Sequence, residues 1–142
     1  DAGYSDGCYE VAIAATAAVI CLGASSKIHH NKYTLTLAEP FPNHWSKWSK
    51  INIEQYLGIR KCCVEGSPNK IIIITDKIPT QYFEYAQVYQ KRNEFMVDNC
   101  TELWAWWDGS SGGTKNCVDY AKKVGKPVRN LYEEFNTSFN KT

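Results

Sequence analysis

The sequence has no excess of charge of either sign. Its 142 residues include 16 Lys and Arg and 15 Asp and Glu, so the formal net charge is +1. Because a dedicated nucleic-acid-binding domain normally presents a basic face, we do not expect nucleic acid as a partner. A small ligand remains possible.

The sequence also lacks a metal-binding or redox motif. Its six cysteines are Cys8, Cys21, Cys62, Cys63, Cys100 and Cys117. None forms the C-x-x-C pair of a zinc ribbon or a thioredoxin, and the three histidines have no ligand spacing with a cysteine or an acid. We therefore expect no metal and no cofactor. The even number of cysteines allows disulfides, but their irregular spacing favours reduced, partly buried thiols, as in a cytosolic protein.

No segment has the pattern of a signal peptide or a membrane span. The apolar run at residues 11–22 has no basic region before it, and it is short and rich in alanine. We therefore expect a cytoplasmic protein without a membrane partner. No repeat or linker divides the chain, so residues 1–142 are predicted to form one domain. Since the first residue is Asp1, in a turn-like stretch, we also expect that an N-terminal piece is missing or that the chain has been processed.

Predicted helices and strands alternate along the chain. A helix of small residues is predicted at 6–22, with Asp6 as its N-cap. Strands are predicted within YTLTLAEPF, KIIIITD, ELWAWWD and KPVRNLY, and helices within residues 42–59, 79–99 and 114–124. The continuous apolar run KIIIITD is typical of a strand covered on both faces. The polar tail, 133–142, is expected to fray. This order predicts a single Rossmann-like α/β domain, an open and mostly parallel sheet with helices on both faces.

In such sheets a ligand binds beyond the carboxyl ends of the strands. One of the stretches in that position is DGSSGGT, at residues 108–114. Gly112 and Gly113 allow close approach of the backbone, and a helix that begins near Thr114 directs N–H groups and its positive dipole outward. The same residues could instead form only a tight turn and a helix cap. Asp108, which ends the strand, could accept from a ribose hydroxyl or close the turn.

A stripe of side chains runs along one face of the helix predicted at 79–99. It comprises Tyr82, Tyr85, Tyr89, Arg92 and Met96. We expect the tyrosines to pack on the sheet. Arg92 could either pair with a phosphate or extend its charged end to water.

The tryptophans of WAWW are expected to lie mostly in the core, although the last of them could form the wall of a pocket. Catalytic groups are scarce. Cys117 lies within a helix with no histidine partner and is interpreted as a buried thiol. Asp119 and Glu10 are possible acid–base groups, but charged residues on helix faces are usually solvated.

Residues 92–128 resemble the SLOG superfamily of Rossmann-like nucleotide-binding domains. The shared pattern is R-N-x-x-M-V-D, an apolar strand, D-G-x-x-G-G-T-x-N-x-V-x-Y-A and G-K-P, as in the YoqJ/YpsA-like branch. GCYEVAIAATAA and AEPFPNHWSKW resemble other segments of that family, in which a strand–helix–strand unit normally precedes the first glycine turn. Relatives include the LOG-type phosphoribohydrolases, TIR-linked sensors of ADP-ribose-derived signals and the DNA-processing DprA proteins.

The resemblance implies that Arg92, Gly112, Gly113 and Thr114 correspond to the arginine and phosphate loop of the LOG-type hydrolases. Cys117 stands where those enzymes have a catalytic glutamate, which implies binding rather than hydrolysis. The remaining residues expected at the ligand site are Gly3, Asp6, Pro40, Phe41, Asp108, Ser110, Ser111 and Asn116.

The expected function is therefore the sensing or sequestering of a nucleotide or an ADP-ribose-derived signalling molecule. The alternatives are an N-glycosidic hydrolase or transferase and, by analogy with DprA, a scaffold or a binder of single-stranded DNA. The abundance of tryptophan and tyrosine also predicts a homo-oligomer.

Overall fold

The computed structural model of the chain describes residues 36–61 and 70–139, which form an α/β fold with parallel strands. The strands are β1 (Thr36–Glu39), β2 (Lys70–Ile73), β3 (Leu103–Ala105) and β4 (Val128–Asn130). The helices are α1 (Lys50–Lys61), α2 (Tyr82–Asp98), α3 (Gly113–Lys123) and α4 (Leu131–Phe139). The helix predicted at 6–22 lies outside the described residues, as do Gly3, Glu10 and the cysteines at 8, 21, 62 and 63.

The four described strands form two separate parallel pairs. In one pair Thr36 of β1 lies opposite Lys70 of β2, and in the other Leu103 of β3 lies opposite Val128 of β4. The prediction of parallel strands is confirmed, whereas a single sheet is not seen in this part of the chain. Helix α2 packs against both β1 and α3 and so connects the two pairs.

Strand β1 is buried and β2 is not. Leu37, Ala38 and Glu39 of β1 are all buried, although alternate residues of a strand face opposite sides. In β2 the side chain of Ile73 is 39% exposed, and Ile71 and Ile72 are half-buried. The prediction that this apolar strand is covered on both faces is therefore wrong, because a continuous apolar run does not specify which residues pack beside it.

A small apolar core lies between α2, α3 and the second strand pair. Val97, Cys117 and Ala121 are buried there, with Leu103 and Val128 packed against them. Because β3 directs Leu103 into this core, the next residue, Trp104, faces the other side and is 60% exposed. The expectation that WAWW lies mostly in the core is therefore wrong for Trp104, whose ring lies 5.0 Å from the Arg129 guanidinium.

Helix α2 has a defined start, and two of its three stripe tyrosines pack against the protein. The Glu84 carboxylate accepts hydrogen bonds from the N–H groups of Thr80 and Gln81, which precede the helix. Tyr85 and Tyr89, further along, pack against Phe41, as predicted. Tyr82, the first residue of the helix, does not pack and is 91% exposed.

The tail predicted to fray from residue 133 is helical as far as Phe139. The guanidinium of Arg129 forms a salt bridge with Glu134 at 2.8 Å, and the ring of Phe135 lies 5.6 Å from that of Trp106. These contacts to β3, β4 and the adjoining loop hold α4 in place, a packing that its polar sequence does not indicate.

Candidate functional site

A cavity of about 160 Å³ lies at the carboxyl end of β3. One wall consists of Asp108 and residues 110–115, the glycine loop and the first turn of α3. The other wall is aromatic and is formed by Trp106, Trp107 and Tyr132. An engineered apolar cavity of similar volume accommodates one benzene molecule, so this cavity has room for one ring-sized group.

Asp108 shapes the start of the glycine loop. Its carboxylate accepts hydrogen bonds from the Ser110 N–H at 2.9 Å and from the Ser110 hydroxyl at 2.6 Å. These bonds to Ser110 lower the pKa of Asp108. The side chain is therefore an ionised acceptor at neutral pH, suited to a sugar hydroxyl and not to donating a proton.

Helix α3 begins at a glycine. Gly112, at the N-cap position, has no side chain that could cap the helix, and its φ of 142° and ψ of −165° form a backbone conformation that essentially only glycine adopts. The first N–H groups of a helix have no intrahelical partner. Those of α3 are thus directed toward the end of the helix that borders the cavity, where an anion would be stabilised. The Lys115 ammonium pairs with Asp119 one turn further on.

The aromatic wall is held rigidly. The Trp107 indole N–H donates to the Ser110 carbonyl at 2.8 Å, and the Lys122 ammonium lies 5.8 Å from the ring centroid. The rings of Trp106 and Tyr132 meet edge to face at 5.5 Å. The glycine loop and the aromatic wall are therefore joined through Trp107.

Arg92 and Asn93 lie behind the loop and not in the cavity. Each is 2% exposed, and neither contributes to the cavity lining. The Arg92 Nε donates to Asn93 Oδ1 at 3.0 Å, and Asn93 Nδ2 donates to the Gly113 carbonyl at 3.4 Å. Arg92 therefore does not extend to water, and it is hydrogen-bonded to Asn93, which in turn contacts the loop.

A second polar cluster lies at the carboxyl end of β1. The fully buried Glu39 carboxylate accepts from the Tyr56 hydroxyl at 2.6 Å and from the Arg60 Nε at 2.9 Å. The sequence placed Glu39 at the end of a strand but gave no sign of this burial, because its partners are 17 and 21 residues away.

His44 is buried beside this cluster, inside a ring of aromatic side chains. The rings of Trp45, Trp48 and Tyr56 each lie 5.3 Å from the imidazole. Burial, followed by the positive charges of Arg92 and Arg60, lowers the pKa of His44 to about 3. The imidazole is therefore neutral at physiological pH.

Cys117 is a buried thiol, as predicted. Burial raises its pKa to about 11, an effect that the nearby Arg92 charge partly opposes. A protonated thiol is a poor nucleophile.

The residues predicted for the ligand site are only partly brought together. Those on the cavity wall are Asp108, Ser110, Ser111, Gly112, Gly113 and Thr114. Asn116 instead faces a separate groove between α2 and α3. Pro40 and Phe41 are buried, and Phe41 packs against Tyr85 and Tyr89. Gly3 and Asp6 lie outside the described residues.

The structure adds three cavity residues that the sequence prediction did not name, Trp106, Lys115 and Tyr132. Lys115 immediately follows the glycine loop, so its place on the wall could have been anticipated. Tyr132 could not, because its position depends on Asn130, whose Oδ1 accepts from the Tyr132 N–H and from the Trp107 N–H, at 3.2 Å in each case.

Over residues 36–61 and 70–139, His, Cys, Asp and Glu side chains do not cluster in groups of three or more that could hold a metal ion. Within the same ranges, no helix is long and apolar enough to cross a membrane.

The sequence is similar in part to a known protein. Over 49 residues, 33% of the chain, the sequence is 47% identical to an uncharacterized SPbeta prophage-derived protein, YoqJ, of Bacillus subtilis (strain 168). The matched stretch is 29% of that protein's length. No protein-family model matches the sequence. The likeness agrees with the YoqJ-like motifs, while membership of the wider SLOG superfamily stays a prediction.

Proposed function

We propose that this protein binds a nucleotide or an ADP-ribose-derived signalling molecule, as a sensor or a sequestering protein. The observation that carries the proposal is the composition of the cavity: the N-terminal end of α3, with its glycine and hydroxyl groups, lines the same space as three aromatic side chains. A phosphate matches the first surface and a sugar or base ring matches the second.

The chemistry of the cavity favours binding over hydrolysis. Cleavage of an N-glycosidic bond passes through an oxocarbenium-like state that a nearby carboxylate stabilises. At Cys117 a neutral thiol stands in place of that carboxylate. Asp119 is directed elsewhere: it lines the groove between α2 and α3 and pairs with Lys115.

The test is native mass spectrometry of the protein as purified, followed by titration calorimetry against AMP, ADP-ribose, cyclic ADP-ribose isomers and NAD. Mass spectrometry also reports the subunit number and thereby tests the expected homo-oligomer. We expect a stoichiometric complex with at least one of these ligands, with its mass unchanged. Absence of heat and of adduct with every ligand, for a folded protein, would remove the proposal.

Two glycine variants distinguish a loss of ligand affinity at the cavity from the general effect of backbone strain on stability. Gly112→Ala forces a side chain into a conformation reserved for glycine and is expected to weaken ligand binding roughly tenfold. Gly125→Ala is the control, because Gly125 also has positive φ, 80°, but lies at the other end of α3. It should lower stability and leave affinity unchanged. In neither case does the new Cβ meet an atom within 4 Å, so steric clash does not complicate the comparison.

A second candidate function is hydrolysis or transfer at an N-glycosidic bond, and the position of Asp108 favours it. Asp108 is an ionised carboxylate on the cavity wall, and it could stabilise positive charge on a sugar ring. Release of free base from nucleoside monophosphates or NAD, followed by chromatography and abolished in Asp108→Asn, would establish it. If no free base is released during prolonged incubation, binding without catalysis is the only proposed function that stands.

A further inference from the structure

We propose that Lys115 binds the phosphate of the ligand, and that Asp119 holds this lysine in the free protein. The inference deepens the proposed function and rests on it. It makes Lys115 the residue that selects a phosphorylated ligand over the same molecule without its phosphate.

The charges on the cavity wall require a cation if the ligand is an anion. Of the residues described along this wall, Asp108 carries the only negative charge and Lys115 the only positive charge. Asp108 is ionised at neutral pH, and a carboxylate disfavours a second anion close to it. Lys115 offsets this charge. A wall with one charge of each sign suits a ligand in which a phosphate lies beside sugar hydroxyls, with Asp108 as the acceptor for a hydroxyl.

The position of Lys115 is unfavourable for the helix itself. Lys115 lies in the first turn of α3, near the positive end of the helix dipole, and that turn contains no acidic residue. Its partner Asp119 follows it by four residues, and at this spacing a lysine that precedes the acid forms the weaker of the two possible pairs. The stability of α3 therefore does not explain a lysine here. Departures from local rules of this kind are expected at functional sites.

The pair with Asp119 can be exchanged for another partner at little cost. The side chains of Lys115 and Asp119 are 43% and 50% exposed, and exposed ion pairs at this spacing are weak. The ammonium group of a lysine lies at the end of a flexible side chain and has three donors. Lys115 lines the cavity, whereas Asp119 lines the separate groove between α2 and α3. The ammonium can thus turn from the carboxylate to a phosphate while the helix stays as it is.

The first experiment is calorimetry with AMP, adenosine and ADP-ribose. Lys115→Gln should weaken the binding of AMP and ADP-ribose roughly tenfold, the effect of one charge-assisted hydrogen bond, and should leave adenosine unchanged. Lys123→Gln is the matched control, because it removes the same charge from the same helix but at a residue that lines the groove and not the cavity. It should leave all three affinities unchanged. Lys115→Arg, which keeps the charge, should retain most of the affinity for AMP.

The second experiment tests whether Asp119 and the ligand share the lysine. Asp119→Asn should tighten AMP binding roughly twofold, because the lysine no longer has to leave a carboxylate. The same substitution should have no effect in the Lys115→Gln variant, because Asp119 acts through the lysine. Equal tightening with and without Lys115 would mean that Asp119 repels the phosphate directly, and it would overturn the sharing of Lys115.

The outcomes separate this inference from the proposed function. If Lys115→Gln binds the phosphorylated ligands as wild type does, or loses no more affinity than Lys123→Gln, the role of Lys115 is overturned while nucleotide binding stands. If wild-type protein binds adenosine as tightly as AMP, selection for the phosphate is likewise overturned. Wild-type protein that binds none of the three ligands would overturn the proposed function, and this inference with it.

Discussion

The side chain of Asn130 and the backbone of Trp107 exchange two hydrogen bonds: the Trp107 N–H donates to Oδ1 at 3.2 Å, and Nδ2 donates to the Trp107 carbonyl at 2.9 Å. The side-chain amide thus bonds to Trp107 as the backbone of a neighbouring strand would. It extends the β3–β4 pairing beyond its last backbone pair, Ala105 and Asn130. The aromatic wall of the cavity is fixed at this point.

Asn130→Ala should therefore destabilise the protein by about 1–3 kcal/mol and change the tryptophan emission. The reason is that the Trp107 backbone loses both partners in a half-buried setting. Urea unfolding monitored by fluorescence measures both effects. Asn116→Ala is the control: Asn116 is exposed on α3, and its replacement should alter stability by no more than about 0.5 kcal/mol. Similar losses in the two variants would contradict this account.

Glu39→Ala should destabilise the protein by about 3 kcal/mol, measured by urea unfolding. The change leaves the Tyr56 hydroxyl without its acceptor and removes the carboxylate from Arg60, which is itself partly exposed. The matched comparison is Asp119→Asn, which breaks the exposed pair with Lys115 and should cost at most about 0.5 kcal/mol. If the buried and exposed pairs prove equal, burial does not govern the strength of the Glu39 cluster.

The stability of the folded protein should decrease as the pH is lowered, because His44 is protonated more readily in the unfolded chain. The pKa of this group is about 3 in the folded protein and 6.5 as its ordinary value, so the unfolded chain binds more protons between these values. The contribution of His44 to the free energy of unfolding is therefore fully present above pH 6.5. It declines as the pH falls toward 3, with a slope that approaches about 1.4 kcal/mol per pH unit. Urea unfolding at a series of pH values, in wild type and His44→Phe, isolates this contribution. An identical pH dependence in both proteins would refute the assignment.

Cys117 should resist alkylation in the native protein. Burial raises the pKa of its thiol to about 11, so little thiolate forms at pH 8. Iodoacetamide treatment followed by peptide mapping should find the Cys117 peptide unmodified in buffer and modified in urea. Rapid labelling under native conditions would show that the thiol is accessible and would reopen the question of its reactivity.

The sequence predicts the part of this fold that depends on local pattern. Alternation of helices and strands, the apolar strand at Lys70–Ile73 and the glycine loop before α3 all follow from periodicity and from residues adjacent in the chain. The membership of six loop residues in one cavity follows for the same reason, because they are contiguous or nearly so.

Burial of polar groups could not be predicted in this way. Glu39 and Asn93 obtain their buried environment from residues 17 to 21 positions away. Arg92 illustrates the difficulty: helical spacing predicts that it shares a face with the tyrosine stripe, where it lies 5.7 Å from the Tyr89 ring centroid, but not that it is buried and bonded to Asn93. Likewise α4 is helical because Phe135 and Glu134 find partners on Trp106 and Arg129.

The contact between α2 and α3 has a consequence for the order of folding. Asn93 and Gly113 are 20 residues apart, and β3 lies between their helices in the chain. Contacts of short sequence separation cost little loop entropy and form early. We therefore expect the segment from Tyr82 to Lys123 to collapse as a local unit, and the glycine loop to acquire its shape with it. In this account the loop side of the cavity forms early and does not wait for β1 and β2 to pair, whereas Tyr132 joins the cavity only when α4 packs.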